Sequence, residues 1–282
     1  MTLKPTFADV AYATLSQAQK LDLYLPDRSS ERNPLVVYIH GGAFKEGDKR
    51  GHARLFRKVL AAGYAVASLN YRMSGEARFP ALVQDVKAAV RFLRANADRY
   101  RIDPERFAAW GPSAGGYLVA MLGVTGDVTD FDAPALGNAG VSSRVQAVVD
   151  WFGPTDFGVM DAQAAANPAC GADAQYHDAA DSPESLLLGA PVQDVPELVR
   201  AANPITYISA SAPPFLIQHG TVDCVVPTQQ SVILFEALVP VLGEGRVTLT
   251  LLENAGHGGQ AFESKANMER MFAFLDRHLK QA

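Results

Sequence analysis

The chain has 282 residues, 48% of them hydrophobic and 20% charged, with a formal net charge of −5. That length and composition fit one domain built on a single large core. The weakly acidic balance offers no electrostatic footprint for nucleic acid. No apolar run approaches the ~18 residues of a membrane-spanning helix, so a membrane is not an expected partner either.

The opening Met1-Thr2-Leu3-Lys4-Pro5-Thr6 lacks the apolar stretch of a secretory signal. As it stands the sequence therefore reads as cytoplasmic, and as secreted or periplasmic if a signal has been removed. Val10 to Ala13 and Leu21 to Leu25 alternate enough to form an antiparallel pair at a sheet edge. Leu35-Val36-Val37-Tyr38-Ile39 is a continuous apolar run, as expected of a central strand covered on both faces. It ends in His40-Gly41-Gly42-Ala43-Phe44, where two glycines let successive backbone N–H groups turn into one cavity.

A first helix over residues 54–62 stops at Gly63, and residues 64–69 make the next strand. Pro80 opens a long helix whose Leu82, Val86, Ala89 or Val90, and Leu93 recur at helical spacing as a core stripe. Phe107-Ala108-Ala109-Trp110 is another buried strand. Gly111-Pro112-Ser113-Ala114-Gly115 follows, and then the small-residue helix containing Tyr117 to Leu122. A G-x-S-x-G between a strand and a helix is the nucleophile-elbow pattern, a turn so sharp that the serine stands exposed above the sheet edge. The flanking glycines are needed because a Cβ there would meet a neighbouring backbone.

Strands over residues 145–152, 214–220 and 247–252 alternate with helices over 228–242 and 264–279. The expected fold class is α/β, a mostly parallel sheet of about eight strands with helices on both faces. Two stretches break the alternation. Residues 125–143 are rich in Gly, Asp, Ala and Thr, and residues 157–202 carry Pro168, Pro183, Pro191 and Pro196. Loops this long are usually functional, and residues 157–202 are expected to form a small lid over Ser113 within the single 1–282 domain.

A serine nucleophile needs a base and an acid, in the chain order Ser, Asp/Glu, His. Asp223 lies just beyond the 214–220 strand, where open α/β sheets place their chemistry. Asp156, after the 145–152 strand, is the rival acid, and Glu253 stands too close along the chain to His257 to orient it. Of six histidines, His257 sits in a Gly-rich loop after the last strand and is the candidate base. His40 reads as structural, His219 as a core residue, and His52, His177 and His278 as surface or loop residues.

Together these motifs resemble the α/β-hydrolase superfamily, in particular its bacterial esterase/lipase group. The resemblance spans nearly the whole chain through His40-Gly41-Gly42, Asn70-Tyr71-Arg72, Gly111 to Gly116, Asp223 to Pro227, and His257. It implies Ser113 as nucleophile, Asp223 as acid, His257 as base, and an oxyanion hole from the amides of Gly42, Ala43 and Ala114. Ala43 replaces the usual third glycine and Pro112 a usual acidic residue. Both departures point away from hormone-sensitive-lipase-like enzymes and toward feruloyl- and acetyl-esterase-like ones. Phe44, in place of a Trp, leaves the aryl-formamidase branch open.

The expected substrate is a small-molecule carboxylic ester, aryl, feruloyl or acetyl, cleaved through an acyl-enzyme. An amidase with the same triad and a non-catalytic receptor on this fold are the alternatives, the latter disfavoured by an intact triad. No clustered ligand set implies a metal, and no phosphate-binding glycine loop implies a cofactor; oligomeric state is not encoded legibly. Phe44, Tyr117, Trp151 and Phe152 are candidates to line the pocket, with core packing the alternative for each. Cys170 and Cys224 are the only cysteines. If the lid folds over the site they meet as a disulfide; a cytoplasmic address favours two reduced thiols instead.

Overall fold

The structure, a computed structural model, describes residues 3–27 and 32–280. Its eight strands are β1 (Phe7–Ala11), β2 (Lys20–Tyr24), β3 (Asn33–Ile39), β4 (Ala65–Leu69), β5 (Ile102–Pro112), β6 (Ala147–Trp151), β7 (Phe215–Gly220) and β8 (Val247–Leu252). They form one sheet in the order β1-β2-β4-β3-β5-β6-β7-β8. The two edge pairings β1–β2 and β2–β4 are antiparallel and the rest parallel, so the expected N-terminal hairpin does cover one edge.

The continuous apolar strands have a direct cause, because both sheet faces are buried. Along β3, Leu35, Val37 and Ile39 face one core while Val36 and Tyr38 face the other. The first core is covered by α2 (Ala81–Ala95), α4 (Ala114–Val124) and α8 (Gln229–Leu242); the second by α1 (Ala53–Ala61) and α9 (Lys265–Leu279). The stripe Leu82, Val86, Ala89, Val90 and Leu93 is buried as its spacing required. The short helix α3 (Ala97–Tyr100) leads into β5.

Residues 157–202 contain α5 (Met160–Ala165), α6 (Pro183–Leu188) and α7 (Pro196–Ala202), joined by 3-10 turns. This insert is fused to the main core rather than laid upon it. Phe157, Met160, Leu187 and Val192 are buried in the same cluster as β3 and α4. The Leu187 carbonyl accepts from the Phe79 N–H at 2.9 Å. Excising the insert would therefore open the core, a larger consequence than that of losing a surface flap.

One buried carboxyl in the sheet has a pH signature. Asp150 on β6 accepts the Gly153 N–H at 2.9 Å through Oδ1, and its Oδ2 has no partner among the described residues. Burial pushes its pKa up to about 7. The unfolded chain then ionises before the folded one as pH rises, so this group costs stability progressively from about pH 4 up to neutrality. Asp150→Asn keeps the Gly153 bond and never ionises. Its melting temperature should exceed that of the wild type by a margin that grows between pH 4.5 and pH 8. An equal margin at both would refute a raised pKa.

Candidate active site

Five strands converge at their C-terminal ends. β3 leads into the Gly41-Gly42 turn, β5 into Ser113, β6 into Phe152, β7 into Asp223 and β8 into His257. Ser113 has φ 54° and ψ −125°, a sparsely populated conformation for a residue with a side chain. Such a residue costs about 1–3 kcal/mol and persists only where the surroundings impose it. They do here. The Ser113 N–H donates to the Trp151 carbonyl at 2.8 Å. A Cβ on Gly115 would lie 2.1 Å from the Ile39 carbonyl oxygen, and one on Gly111 2.5 Å from the Gly115 backbone. The elbow is thus clamped between β3 and α4, and its residue types are dictated by contact.

The three triad candidates meet. His257 Nε2 lies 2.9 Å from Ser113 Oγ, and His257 Nδ1 lies 2.8 Å from Asp223 Oδ2. The other carboxylate oxygen, Oδ1, accepts the N–H groups of Val225 and Val226 at 2.9 and 3.0 Å. Burial alone would raise the Asp223 pKa, but hydrogen bonds from His219 and His257 outweigh it and hold the carboxyl well below the usual range. The His257 side chain is 21% exposed, open toward the serine, and the Phe152 ring packs 4.6 Å from it.

The rival acids lie elsewhere. Asp156 Oδ1 accepts the Gly158 N–H at 2.9 Å and caps the turn that opens the insert. Glu253 is exposed.

A cavity of about 40 Å³ adjoins Ser113, with Ala43, Phe44 and Ala114 in its wall. Gly42 lies one residue behind that wall. Its φ of 124°, and a Cβ that would fall 2.0 Å from the Glu46 carbonyl oxygen, show why glycine turns the loop there. The loop is held from below. Tyr71 donates its hydroxyl to the His40 carbonyl at 2.9 Å, and Arg72 is bidentate to the buried Asp85. The Asn70-Tyr71-Arg72 motif thus acts as a strut for the Gly41-Gly42 turn. His40 stacks on Tyr71 at 4.7 Å, consistent with its structural reading, and burial lowers its pKa.

Two aromatic candidates for the pocket belong to the core instead. Tyr117 is fully buried, edge-on to Phe44, and donates its hydroxyl to the Ala202 carbonyl at 2.8 Å. Trp151 faces the opposite core, against Trp110 and Phe262, and donates Nε1–H to Gln218 Oε1 at 2.6 Å. The first lies on a helix buried along its whole length and is sealed by the insert, and strand alternation turns the second to the far sheet face.

Two histidines do more than their local sequence suggested. His219, buried on β7, places Nε2 3.2 Å from Asp223 Oδ2 and 3.0 Å from the Val226 carbonyl, while Ser231 Oγ meets its Nδ1 at 2.7 Å. Its only sequence signal was its place four residues before Asp223. His177 is not a surface residue but is buried, 2.8 Å from Glu184 through Nδ1 and 2.9 Å from the Val225 carbonyl through Nε2. No periodicity announced it, because it lies in an irregular segment. The two cysteines also meet, in a Cys170–Cys224 disulfide with Cα atoms 5.4 Å apart.

The family model described as BD-FAE matches residues 21–238, more than half of the chain. The chain belongs to the BD-FAE family. This BD-FAE member is 32% identical to esterase LipC of Mycobacterium tuberculosis over 244 residues, 86% of this chain and 57% of that protein. The chain spans 57%, 49% and 60% of the length of three curated relatives that it matches. A solved structure of a truncated carbohydrate esterase from gut microbiota is 32% identical, with a TM-score of 0.87 over 98% of this chain and 96% of that one. A bifunctional GH43-CE protein of Bacteroides eggerthii is 35% identical, with a TM-score of 0.86 over 97% of this chain and 35% of that one. The BD-FAE fold seen here is thus the α/β-hydrolase fold of esterases, and no helix among the described residues is long and apolar enough to cross a membrane.

Proposed function

We propose that the chain is a serine carboxylesterase that removes small acyl groups, acetyl first among them, through an acyl-enzyme. The observation that carries this reading is the unbroken relay from Ser113 Oγ through His257 to the buried Asp223 carboxylate, at 2.9 and 2.8 Å. His257 takes the Ser113 proton as Oγ attacks the ester carbonyl, and the adjacent Asp223 charge stabilises the resulting imidazolium. The oxyanion sits against the amides of Ala43 and Ala114, with Gly42 behind them. His257 then passes the proton to the leaving oxygen, and water, activated by the same base, releases the acid.

The cavity size supports a small acyl group. One water needs roughly 10–15 Å³ of such space. About 40 Å³ therefore suits an acetyl-sized group better than a feruloyl one. Relatives named as esterases favour an ester over an amide or formamide substrate. The Cys170–Cys224 bond favours an oxidising compartment over the cytoplasmic one, where such bonds are rare.

A panel of p-nitrophenyl acetate, butanoate and hexanoate, acetylated sugars, a feruloyl ester and an N-formyl aryl amide tests the reading. Acetate esters should give the highest kcat/KM, and an organophosphonate should label Ser113. A preference for the formamide, or labelling at another residue, would overturn it.

A further inference from the structure

Part of the wall of the cavity that adjoins Ser113 is made by the insert, and that part is charged. His177 and Glu184 are each 4% exposed and both border the cavity. Both partners of the His177 ring, the Glu184 carboxylate and the Val225 carbonyl, are acceptors. Both ring nitrogens must then donate, which makes the ring an imidazolium against a carboxylate. Burial works against that charge, but the hydrogen bond and charge of Glu184 outweigh it, so the His177 pKa is raised.

The pair is also held in place on every side. The His177 N–H donates to Asp161 Oδ1, and its carbonyl accepts the Ser182 hydroxyl at 2.5 Å. Ser182 caps α6, which carries Glu184 in its first turn. The Gln175 N–H donates to the Cys224 carbonyl at 2.8 Å, beside the disulfide. A buried ion pair with satisfied hydrogen bonds resists separation, because removing one partner strands the other charge. An apolar chain pressed against it gains no partner and cannot push it aside cheaply.

We propose that the His177–Glu184 ion pair is the end wall of the acyl site and the determinant of its preference for short acyl groups. This rests on the carboxylesterase reading above. A longer acyl chain would have to displace a charged, hydrogen-bonded pair, whereas a cavity opened at this point would accept it.

The test is the ratio of kcat/KM for p-nitrophenyl butanoate to that for the acetate, in the wild type, in His177→Ala/Glu184→Gln, and in Glu184→Ala. The double variant opens the wall without leaving a buried carboxylate alone. Glu184→Ala provides a second route to a folded protein, since His177 can release its proton. Either folded variant should raise the ratio at least tenfold, chiefly through a lower KM for butanoate. A purely structural role would lower the melting temperature and both activities together, with the ratio unmoved, and that result would overturn the proposal. Wild-type protein that hydrolyses neither ester, with Ser113 unlabelled by a phosphonate, would instead sink the carboxylesterase reading and the wall with it.

Discussion

Ser113→Ala should lower acetate ester hydrolysis by roughly four to six orders of magnitude while the protein stays folded, since the residue left behind fits the same elbow. His257→Ala should lose nearly as much, and combining it with Ser113→Ala should add little, because residues that act as one unit give non-additive losses. Asp223→Asn should cost about three to four orders of magnitude, as it withdraws the charge facing His257 Nδ1. Asp156→Asn should stay close to wild type, since Asp156 caps a turn rather than facing His257. Steady-state kinetics, with circular dichroism as the control for folding, separate these outcomes. A tenth of the activity surviving in Ser113→Ala would refute the relay. A mild Asp223→Asn with a severe Asp156→Asn would move the acid and leave the nucleophile in place.

Breaking the Cys170–Cys224 bond is expected to have the largest effect on stability. Its ends are 54 residues apart, and a loop of that length removes enough unfolded-state entropy to stabilise the fold by about 4 kcal/mol in the chain-entropy model. For a chain of 282 residues this corresponds to a fall in melting temperature of roughly 5–10 °C. Cys170→Ser/Cys224→Ser and wild type in reductant should both show it by calorimetry, and the double variant should no longer respond to reductant. Activity should fall more modestly, because Val225 and Val226, whose amides hold Asp223, follow Cys224 directly. Two free thiols in denatured, unreduced protein would contradict the bridge.

The sheet and its nucleophile turn were legible in the sequence for local reasons. Strands such as Leu35 to Ile39 are buried on both faces, so they read as unbroken apolar runs, and β7 opens on one at Phe215 to Ile217. Gly111 and Gly115 mark an elbow by their spacing around the serine, although of the backbone contacts that exclude a Cβ only that between Gly111 and Gly115 is local. The bounds expected for the helices at 54–62, 228–242 and 264–279 came out within one residue, since amphipathic spacing and end signals are properties of the segment itself.

What the segments do to one another was not legible. Asp156 and Asp223 both follow strands, and the choice between them was decided by where the β8 loop delivers His257, 144 residues away from Ser113. Nothing local distinguishes Phe44, at the cavity, from Tyr117, sealed in the core against it; the packing of the insert separates them. His177 stands in a polar, proline-broken segment and reads as surface. It becomes a buried cation only because the insert folds back onto residues 224–226 and brings Glu184 and the Val225 carbonyl to the two sides of one ring. Local chemistry by itself determined the strands of the sheet, the long helices that flank it and which serine is strained. Burial, charge pairing and the cysteine bond depend on contacts between residues far apart in the chain, and those are set only when the insert closes on the sheet.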